Sequence, residues 1–373
     1  MSQFIMVGCD LHDRSMLIRY AVDTGEPQQL SFDNTAAGRL QMIGRLKSLS
    51  KQHDSARILF AYEASGLGFG LADQLIDQDI ECHVLSSTLL PKTPKSAKLK
   101  TDSKDAQMLL EQLRGWALAG NKLPIVWMPP QRLRDDRELV RARIDAAEEL
   151  TRVKLKILSM LKRREIQKPA NYHSKWSRSF VAWLRKVIAS LDLAVAPVLE
   201  RLVDRFELYK KEIGKLDKAL RELSNQPRYA ALKELRKTPG VGLLVGMSFL
   251  VEMGDLLRFE NRRQVAAYLG LCPAAHESGK ADDRKGRITR QGPARLRKLL
   301  CQAAWVSVRY SSEAAESYQR IKQGQQKRTK KATVALMRKL AITMWHRAMG
   351  YGVSSELQGR GGPHESIPLE ASP

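Results

Sequence analysis

The sequence has few cysteines, few histidines and no long apolar run, and each shortage excludes a class of protein. Its four cysteines lie far apart without paired spacing, which argues against a disulfide framework. Its seven histidines are scattered, and neither Cys9 with His12 nor Cys82 with His83 has a matching second pair for a zinc site. The longest apolar stretch, around 241–251, is too short to span a bilayer, and the N-terminus lacks secretory-signal features. We expect a cytoplasmic protein that does not contact membranes.

Acidic residues are also fewer than basic ones, and the excess of basic residues is confined to one part of the chain. The 373 residues include 63 Lys and Arg but only 40 Asp and Glu, which leaves a net charge of +23. Residues 1–120 are nearly neutral, with 13 basic and 14 acidic side chains, whereas residues 121–373 carry 50 and 26. Solubility needs only a modest net charge, so this pattern favours a near-neutral domain joined to a polyanion-binding region.

The hydrophobic pattern predicts an α/β domain followed by an all-α remainder. Residues 1–125 begin with three short strand candidates and then alternate between helices and strands, which is the order of a ribonuclease-H-like fold. Residues 126–228 show apolar residues at three- and four-residue steps, which predicts a spacer of two long helices, either a coiled coil or part of an ordinary bundle. Residues 229–350 predict a basic helical domain, and residues 351–373 a disordered Gly/Pro/Ser-rich tail.

Four carboxylates of the first domain form an ordered set. Asp10 closes the first predicted strand, Glu63 follows another, and Asp102 and Asp105 lie three residues apart at a predicted helix start. Each acid alone is more typical of a turn or a helix N-cap than of a catalytic site. Together, acids from strand ends and one helix suit hard divalent cations, and two such cations can hold the attacking and leaving oxygens of a phosphoryl transfer.

The C-terminal region combines glycine turns with dense positive charge. TPGVG at 238–242 predicts a turn that opens a helix, where backbone N–H groups could contact a phosphate or simply join two helices. Ser278 precedes Gly279 in a loop rich in arginine, which makes it a candidate nucleophile beside a phosphate. The candidate nucleic-acid-binding residues are Lys280, Arg284, Lys285, Arg287, Arg290, Arg295, Arg297, Lys298, Lys327, Arg328, Lys330 and Lys331.

These motifs together resemble those of a known family. GCD, YEASG and KTDSKDA, then TPGVG, GLCPAAHESG and RKGRITRQG, are similar to the DEDD transposases of bacterial insertion sequences, which are related to the Piv invertase. The resemblance covers residues 4–345 in the family order. It implies a RuvC-like catalytic domain at residues 1–125, a coiled-coil spacer at 126–228 and a transposase domain with a helix-hairpin-helix-like turn and a serine motif at 229–350.

The resemblance also implies a chemistry. The family's four metal-binding acids correspond to Asp10, Glu63, Asp102 and Asp105, with Mg²⁺ in a two-metal site, and its nucleophilic serine corresponds to Ser278. The implied partners are the DNA of element ends and target, a structured non-coding bridge RNA as guide, and further copies of the chain in a dimer or tetramer. The implied location is the bacterial cytoplasm, at the nucleoid.

This sequence departs from the family pattern in the loop after the first acid and in the serine loop. Family members often carry a lysine a few residues after the first acid, where this chain has Asp13 and Arg14, and Asp282 and Asp283 dilute the basic loop. Two other readings stay open. One is a RuvC-like nuclease in which water attacks without a covalent intermediate, and the other is a non-catalytic nucleic-acid scaffold.

Overall fold

The computed structural model describes residues 3–90, 102–169, 176–274, 287–352 and 354–360. The described residues up to Pro129, with Gly359 and Arg360, form one compact unit, and Pro130–Gln358 forms a second. None of the helices in these ranges combines the length and the apolar character needed to cross a bilayer.

The first unit is built on a five-stranded mixed sheet. Its strands are β1 (Phe4–Leu11), β2 (Ser15–Val22), β3 (Gln28–Asp33), β4 (Arg57–Glu63) and β5 (Glu81–Leu85). They lie in the order β3-β2-β1-β4-β5, with β1–β2 and β2–β3 antiparallel and β1–β4 and β4–β5 parallel. The predicted mixed α/β domain is confirmed, and this arrangement is compatible with a ribonuclease-H-like domain.

Among the described residues, three helices cover the two faces of this sheet, namely α1 (Ala36–Gln52), α2 (Gly70–Ile76) and α3 (Asp102–Ala119). Side chains of a strand alternate between faces. In β1, Val7 and Cys9 therefore pack into the core shared with α1 and α2, whereas Met6 packs into the core shared with α3. Burial on both faces explains why β1 and β4 read as nearly continuous apolar runs.

The second unit is helical in its described residues, as the sequence predicted for the remainder of the chain. Its helices are α4 (Gln131–Arg163), α5 (Arg178–Ala189), α6 (Ala196–Ser224), α7 (Leu232–Leu235), α8 (Leu243–Met253), α9 (Arg262–Tyr268), α10 (Ala294–Tyr310), α11 (Ser312–Lys322) and α12 (Thr329–Tyr351). Helix α6 starts at a proline in its first turn, where the missing N–H removes no intrahelical bond.

The two long helices, α4 and α6, pack along each other, and α5 closes one end of the pair. There Phe180, Leu184 and Phe206 form a core with Ile157 of α4, and Trp176 stacks on this core with its ring 5.0 Å from that of Phe206. Helix α8 packs on both long helices within the same compact unit. A separate coiled-coil spacer at 126–228 therefore stays a prediction.

Ion pairs with buried carboxylates connect α4 to other segments of the second unit. Asp136 of α4 accepts two hydrogen bonds from the Arg228 guanidinium, at 2.9 and 3.1 Å, and a third from the Tyr229 hydroxyl at 2.6 Å. Arg141 of α4 binds Glu252 of α8 with the same two-pronged geometry, at 2.8 and 3.0 Å. Hydrogen bonds on both oxygens compensate the cost of burying these carboxylates.

The segment after α12 is described in part. Residues Ser355–Leu357 form a 3-10 turn in which Leu357 is buried, and Arg360 exchanges backbone hydrogen bonds with Met128 in the first unit. The sequence predicted disorder from residue 351 onward; residues 361–373 of that tail lie outside the described residues. The predicted boundaries near 125 and 228 likewise stay predictions.

Candidate active site

Asp10 and Glu63 lie side by side at the carboxyl ends of two parallel strands. Cys9 pairs with Tyr62 across β1 and β4, so Asp10 and Glu63 occupy the next positions on the two strands. Cys9 and Tyr62 face the α1 and α2 core, and alternation turns the two acids toward the face covered by α3. The sequence predicted these acids at strand ends. In the structure, Asp10 is the residue before the last one of β1, and Glu63 is the last residue of β4.

Helix α3 approaches this face closely because β1 has a glycine there. A Cβ atom on Gly8 would lie 2.2 Å from the carbonyl oxygen of Ala106 and 2.4 Å from the amide nitrogen of Leu110, both backbone atoms of α3. Gly8 precedes Asp10 by two residues, so it lies on the same face of the strand. The missing side chain thus lets the first turns of α3, with Asp102 and Asp105, lie against the strand that carries Asp10.

Polar side chains from the neighbouring strands hold the start of α3. The Arg19 guanidinium of β2 donates to the Ser103 hydroxyl at 2.9 Å and to the Gln107 side-chain oxygen at 3.3 Å. The Ser103 hydroxyl in turn donates to Gln29 of β3 at 2.9 Å. These bonds fix the first turn of α3, which begins at Asp102 immediately after residues outside the described ranges.

The most closely spaced candidate ligands are Asp10, His12 and Asp102, of which each offers one ligand atom within 4.8 Å of the others. The Nε2 atom of His12 lies 3.1 Å from an oxygen of Asp10 and 3.5 Å from an oxygen of Asp102. Glu63 and Asp105, which the structure also describes, do not belong to this group of three. The structure therefore brings two of the four predicted acids within ligand distance and places the other two on the same face of the sheet.

Negative charge accumulates around Asp10. Partial burial raises the pKa of the Asp10 carboxyl above its usual value, His12 opposes that rise, and the charges of Asp102 and Asp105 add to it. A pKa raised by neighbouring carboxylates means that the anionic forms repel one another. Oxygen donors in this state suit a divalent cation, which would compensate the repulsion, so the residues present fit such an ion.

A cleft opens beside these residues. It has a volume of about 460 Å³ and is lined by Leu11, His12 and Asp13 from the β1–β2 turn and by Ser65, Gly66 and Leu67 after β4. The lining segments directly follow Asp10 and Glu63 in the chain. The cleft therefore gives a substrate access to the carboxyl ends of both strands.

Ser278 lies outside the described residues, together with Lys280, Arg284 and Lys285. The described residues on either side of 275–286 are joined to each other, since the Ala274 N–H donates to the Arg287 carbonyl at 2.8 Å and the Thr289 N–H donates to the Cys272 carbonyl at 2.9 Å. The segment with Ser278 thus starts and ends at one short antiparallel bridge.

Two glycines near this bridge lie too close to other backbone atoms to be replaced by a residue with a side chain. Gly270 and Gly292 both have positive φ, and a Cβ atom would lie 2.1 Å from the Gln291 carbonyl oxygen or 1.8 Å from the Tyr268 carbonyl oxygen, respectively. The Arg297 guanidinium donates to the carbonyls of Leu269, Gln291 and Gly292 at 3.3, 2.7 and 2.9 Å. Arg297 therefore ties the end of α9 to the turn before α10.

Of the other residues predicted to bind phosphate, some pair with acids of the protein and others are exposed. Arg295 forms two hydrogen bonds with Asp145 at 2.8 and 2.7 Å, and Lys298 pairs with Glu148 at 2.7 Å. Arg287 and Arg290 are exposed beside the bridge, and Arg328 donates to Gln323. Their contact with nucleic acid stays a prediction.

Lys327, Lys330 and Lys331 are exposed and pair with no acid among the described residues. Lys330 and Lys331 lie in the first turn of α12, which contains no acidic residue. Cations at this end of a helix are unfavourable because the helix dipole is positive there. An unfavourable, exposed concentration of charge is typical of a surface that binds a polyanion.

The turn at 238–242 uses its first glycine for packing. Gly240 has a φ of 84°, and a Cβ atom there would lie 2.3 Å from the Ala303 carbonyl oxygen of α10. Gly242 is the residue before α8, and a Cβ atom there would meet nothing within 4 Å. The first glycine thus serves helix packing, and the second leaves the start of α8 accessible.

Sequence reasoning missed His12 and Gly8. His12 follows Asp10 by two residues, which is the spacing of side chains on one face of a strand, but one histidine at this spacing is common in proteins without a site. Gly8 gave no signal because a glycine in a strand marks a bulge as often as a close approach.

Two family models match the chain. A model of the DEDD transposase domain of IS110 elements matches residues 7–164, and the model described as "Transposase IS116/IS110/IS902 family" matches residues 232–319. The first match contains all four predicted acids. The second contains Ser278 and the bridge that flanks its segment.

Curated relatives agree with these matches. "Putative transposase y4qE" of Sinorhizobium fredii is 30% identical over 66% of this chain and 58% of its own length. "Putative transposase y4rJ" of the same species is 27% identical over 83% and 82% of the two chains, and the transposase for insertion sequence element IS1533 of Leptospira borgpetersenii is 23% identical over 82% and 86%. With family matches over residues 7–164 and 232–319 and with transposase relatives, this chain belongs to the IS110/IS116/IS902 family of insertion-sequence transposases.

Proposed function

We propose that this protein is the recombinase of an insertion sequence, cutting DNA at element ends and target and rejoining it in a Mg²⁺-dependent reaction. The observation that carries the proposal is the arrangement of acids on one sheet face. Asp10 and Glu63 end parallel strands, and α3 lies on the same face with Asp102 at ligand distance from Asp10. Such carboxylates suit phosphoryl transfer assisted by divalent cations.

Asp10, Glu63, Asp102 and Asp105 would hold the metal, as a two-metal site. When bound, the ions supply Lewis acidity at the phosphate and activate the attacking and leaving oxygens. The protein contributes position. Gly8 sets the distance between β1 and α3, and Arg19 holds the first turn of α3 through Ser103.

The proposed nucleophile is Ser278, on the family's serine motif. Its oxygen would attack a DNA phosphorus, form a phosphoserine ester and release a deoxyribose hydroxyl, and the reverse attack by another hydroxyl would rejoin the strands. The ester keeps the energy of the broken phosphodiester, so rejoining needs no external energy source. Arg287 and Arg290, exposed where the segment meets the bridge, would stabilise charge on the phosphate.

The proposed partners are DNA, a structured bridge RNA and further copies of the chain. The support for the RNA is the family resemblance; if RNA pairing reads the DNA sequence, the protein needs few base contacts of its own. The basic second unit suits binding of either nucleic acid through the phosphates. Joining two DNA sites requires at least a dimer, and a tetramer would hold four strand ends.

The metal assignment is tested by recombination between element-end and target DNA, with the transcript of the flanking non-coding DNA added as guide. Asp102→Asn keeps the size of the side chain and removes one charge, so we expect nucleic-acid binding to persist and strand cleavage to fall by at least about 100-fold. Asp77→Asn is the matched control, since Asp77 is an exposed acid at the end of α2. Full cleavage by Asp102→Asn, or in excess chelator, would contradict the proposal.

The serine assignment is tested by trapping a protein–DNA adduct under denaturing conditions and locating it by mass spectrometry. Ser278→Ala should lose the adduct and recombination while it still binds RNA. Cleavage by the unaltered protein without any adduct would favour the RuvC-like nuclease, in which water attacks. Absence of cleavage under all conditions would favour the non-catalytic scaffold.

A further inference from the structure

His12 is held at the candidate active site by its backbone. It lies in the turn between β1 and β2, where its N–H donates to the Ser15 carbonyl at 2.9 Å and its carbonyl accepts from the Asn34 side-chain amide at 2.7 Å. The Asn34 N–H donates to the Arg14 carbonyl of the same turn at 2.9 Å. The turn is therefore anchored on both sides, which fixes the position from which the imidazole extends.

The imidazole reaches the two acids at the spacing of ligands on one ion. Its Nε2 atom lies 3.1 Å from an oxygen of Asp10 and 3.5 Å from an oxygen of Asp102. Ligand atoms bound octahedrally at about 2.1 Å from an ion lie about 3 Å from their nearest neighbours. The three side chains come from the end of β1, from the turn that follows it and from the first turn of α3, so their convergence depends on how α3 packs on the sheet.

We propose that His12 is a nitrogen ligand of the metal held by Asp10 and Asp102, and that it shifts the preference of this site from Mg²⁺ toward Mn²⁺. The inference rests on the metal-dependent function proposed above and adds a donor outside the four family acids. An all-oxygen site suits Mg²⁺, whereas imidazole favours first-row transition metals. The alternative is that His12 only hydrogen bonds to the acids and leaves a bound ion to oxygen donors.

The proposal is tested on the full-length protein with Mn²⁺ as the probe, without reference to catalysis. Mn²⁺ binding is titrated by electron paramagnetic resonance, and pulsed measurements detect coupling between bound Mn²⁺ and an imidazole nitrogen. Competition with Mg²⁺ gives the ratio of the two affinities. The variants are His12→Ala, Asp10→Asn and His53→Ala. The last is a matched control, because His53 follows α1 near the amino end of β4, opposite the end that carries Glu63.

We expect the unaltered protein and His53→Ala to bind Mn²⁺ with nitrogen coupling. His12→Ala should lose the coupling and bind Mn²⁺ at least about tenfold more weakly, since even residues that only hydrogen bond to metal ligands contribute about 10–100-fold to metal affinity. Its affinity for Mg²⁺ should fall less. Free imidazole should restore the coupling in His12→Ala by occupying the vacated position. Asp10→Asn should abolish the site.

The possible failures are distinguishable. Mn²⁺ binding that requires Asp10 but shows no nitrogen coupling would overturn the role of His12 and leave the acidic site intact. Coupling that persists unchanged in His12→Ala would also overturn it. Failure of the unaltered protein to bind Mn²⁺ at millimolar concentrations, or binding that ignores Asp10, would overturn the metal site itself and with it the proposed function.

Discussion

Gly8→Ala offers a direct test of how the candidate site is assembled. The added Cβ atom would lie 2.2 and 2.4 Å from backbone atoms of Ala106 and Leu110, whereas ordinary contacts begin at 3.4 Å. Neither obstacle is a flexible side chain, so α3 has to retreat from β1 by roughly 1 Å. The retreat separates Asp102 and Asp105 from Asp10 and loosens the buried apolar residues of α3.

The expected cost follows from overpacking. Inserting a methyl group into a well-packed core costs about 1–3 kcal/mol, and a backbone obstacle places Gly8→Ala at the upper end of that range. For a chain of 373 residues that unfolds as one, an unfolding entropy of about 2.1 cal/mol/K per residue means that about 3 kcal/mol lowers the melting temperature by roughly 4 °C. Hydrogen exchange of peptides from 102–119 should accelerate, because α3 is the element displaced. Mn²⁺ affinity should fall with it.

Gly44→Ala is the matched control. Gly44 lies within α1 on the same unit, and a Cβ atom there would meet nothing within 4 Å. Alanine is the better helix former by about 0.5–1 kcal/mol, so this variant should be slightly more stable than the unaltered protein. If Gly8→Ala matched the unaltered protein in melting temperature, exchange of α3 and Mn²⁺ affinity, the close approach of α3 could not be what positions the acids.

Three further predictions concern the second unit. Arg228→Leu leaves the buried carboxylate of Asp136 without its cation and should lower the free energy of unfolding, measured in urea, by about 3–5 kcal/mol. The double variant with Asp136→Leu should recover most of that loss. Equal instability of the single and the double variant would refute the pairing argument. Asn261→Ala removes the side-chain cap of α9 and should cost about 1 kcal/mol by the same assay, with no change if the cap is dispensable. Replacing both Lys330 and Lys331 by glutamine should weaken binding to duplex DNA and reduce the slope of log affinity against log salt concentration by about 1–2. An unchanged slope would show that the start of α12 does not contact phosphates.

Long-range ion pairs show a limit of sequence reasoning. Arg295 and Lys298 read from the sequence as part of one basic cluster because their neighbours are basic. In the fold, each meets an acid of α4 that lies 150 residues away, Asp145 or Glu148. Sequence distance carries no record of that pairing, so a local charge count overestimates the charge available to a ligand.

The sequence by itself determined the elements of the candidate site and the order in which they occur. Apolar runs predicted the strands that end near Asp10 and Glu63, and helical periodicity predicted α4 and α6, because these patterns reflect burial along one segment at a time. What only the tertiary structure decided is which of these groups meet. The approach of α3 to Gly8, the position of Asp102 beside His12, and the bridge between the residues on either side of 275–286 all depend on packing between segments that are separated in sequence. Local pattern cannot specify such contacts, because each is fixed by the shapes of two surfaces that form only when the chain has folded.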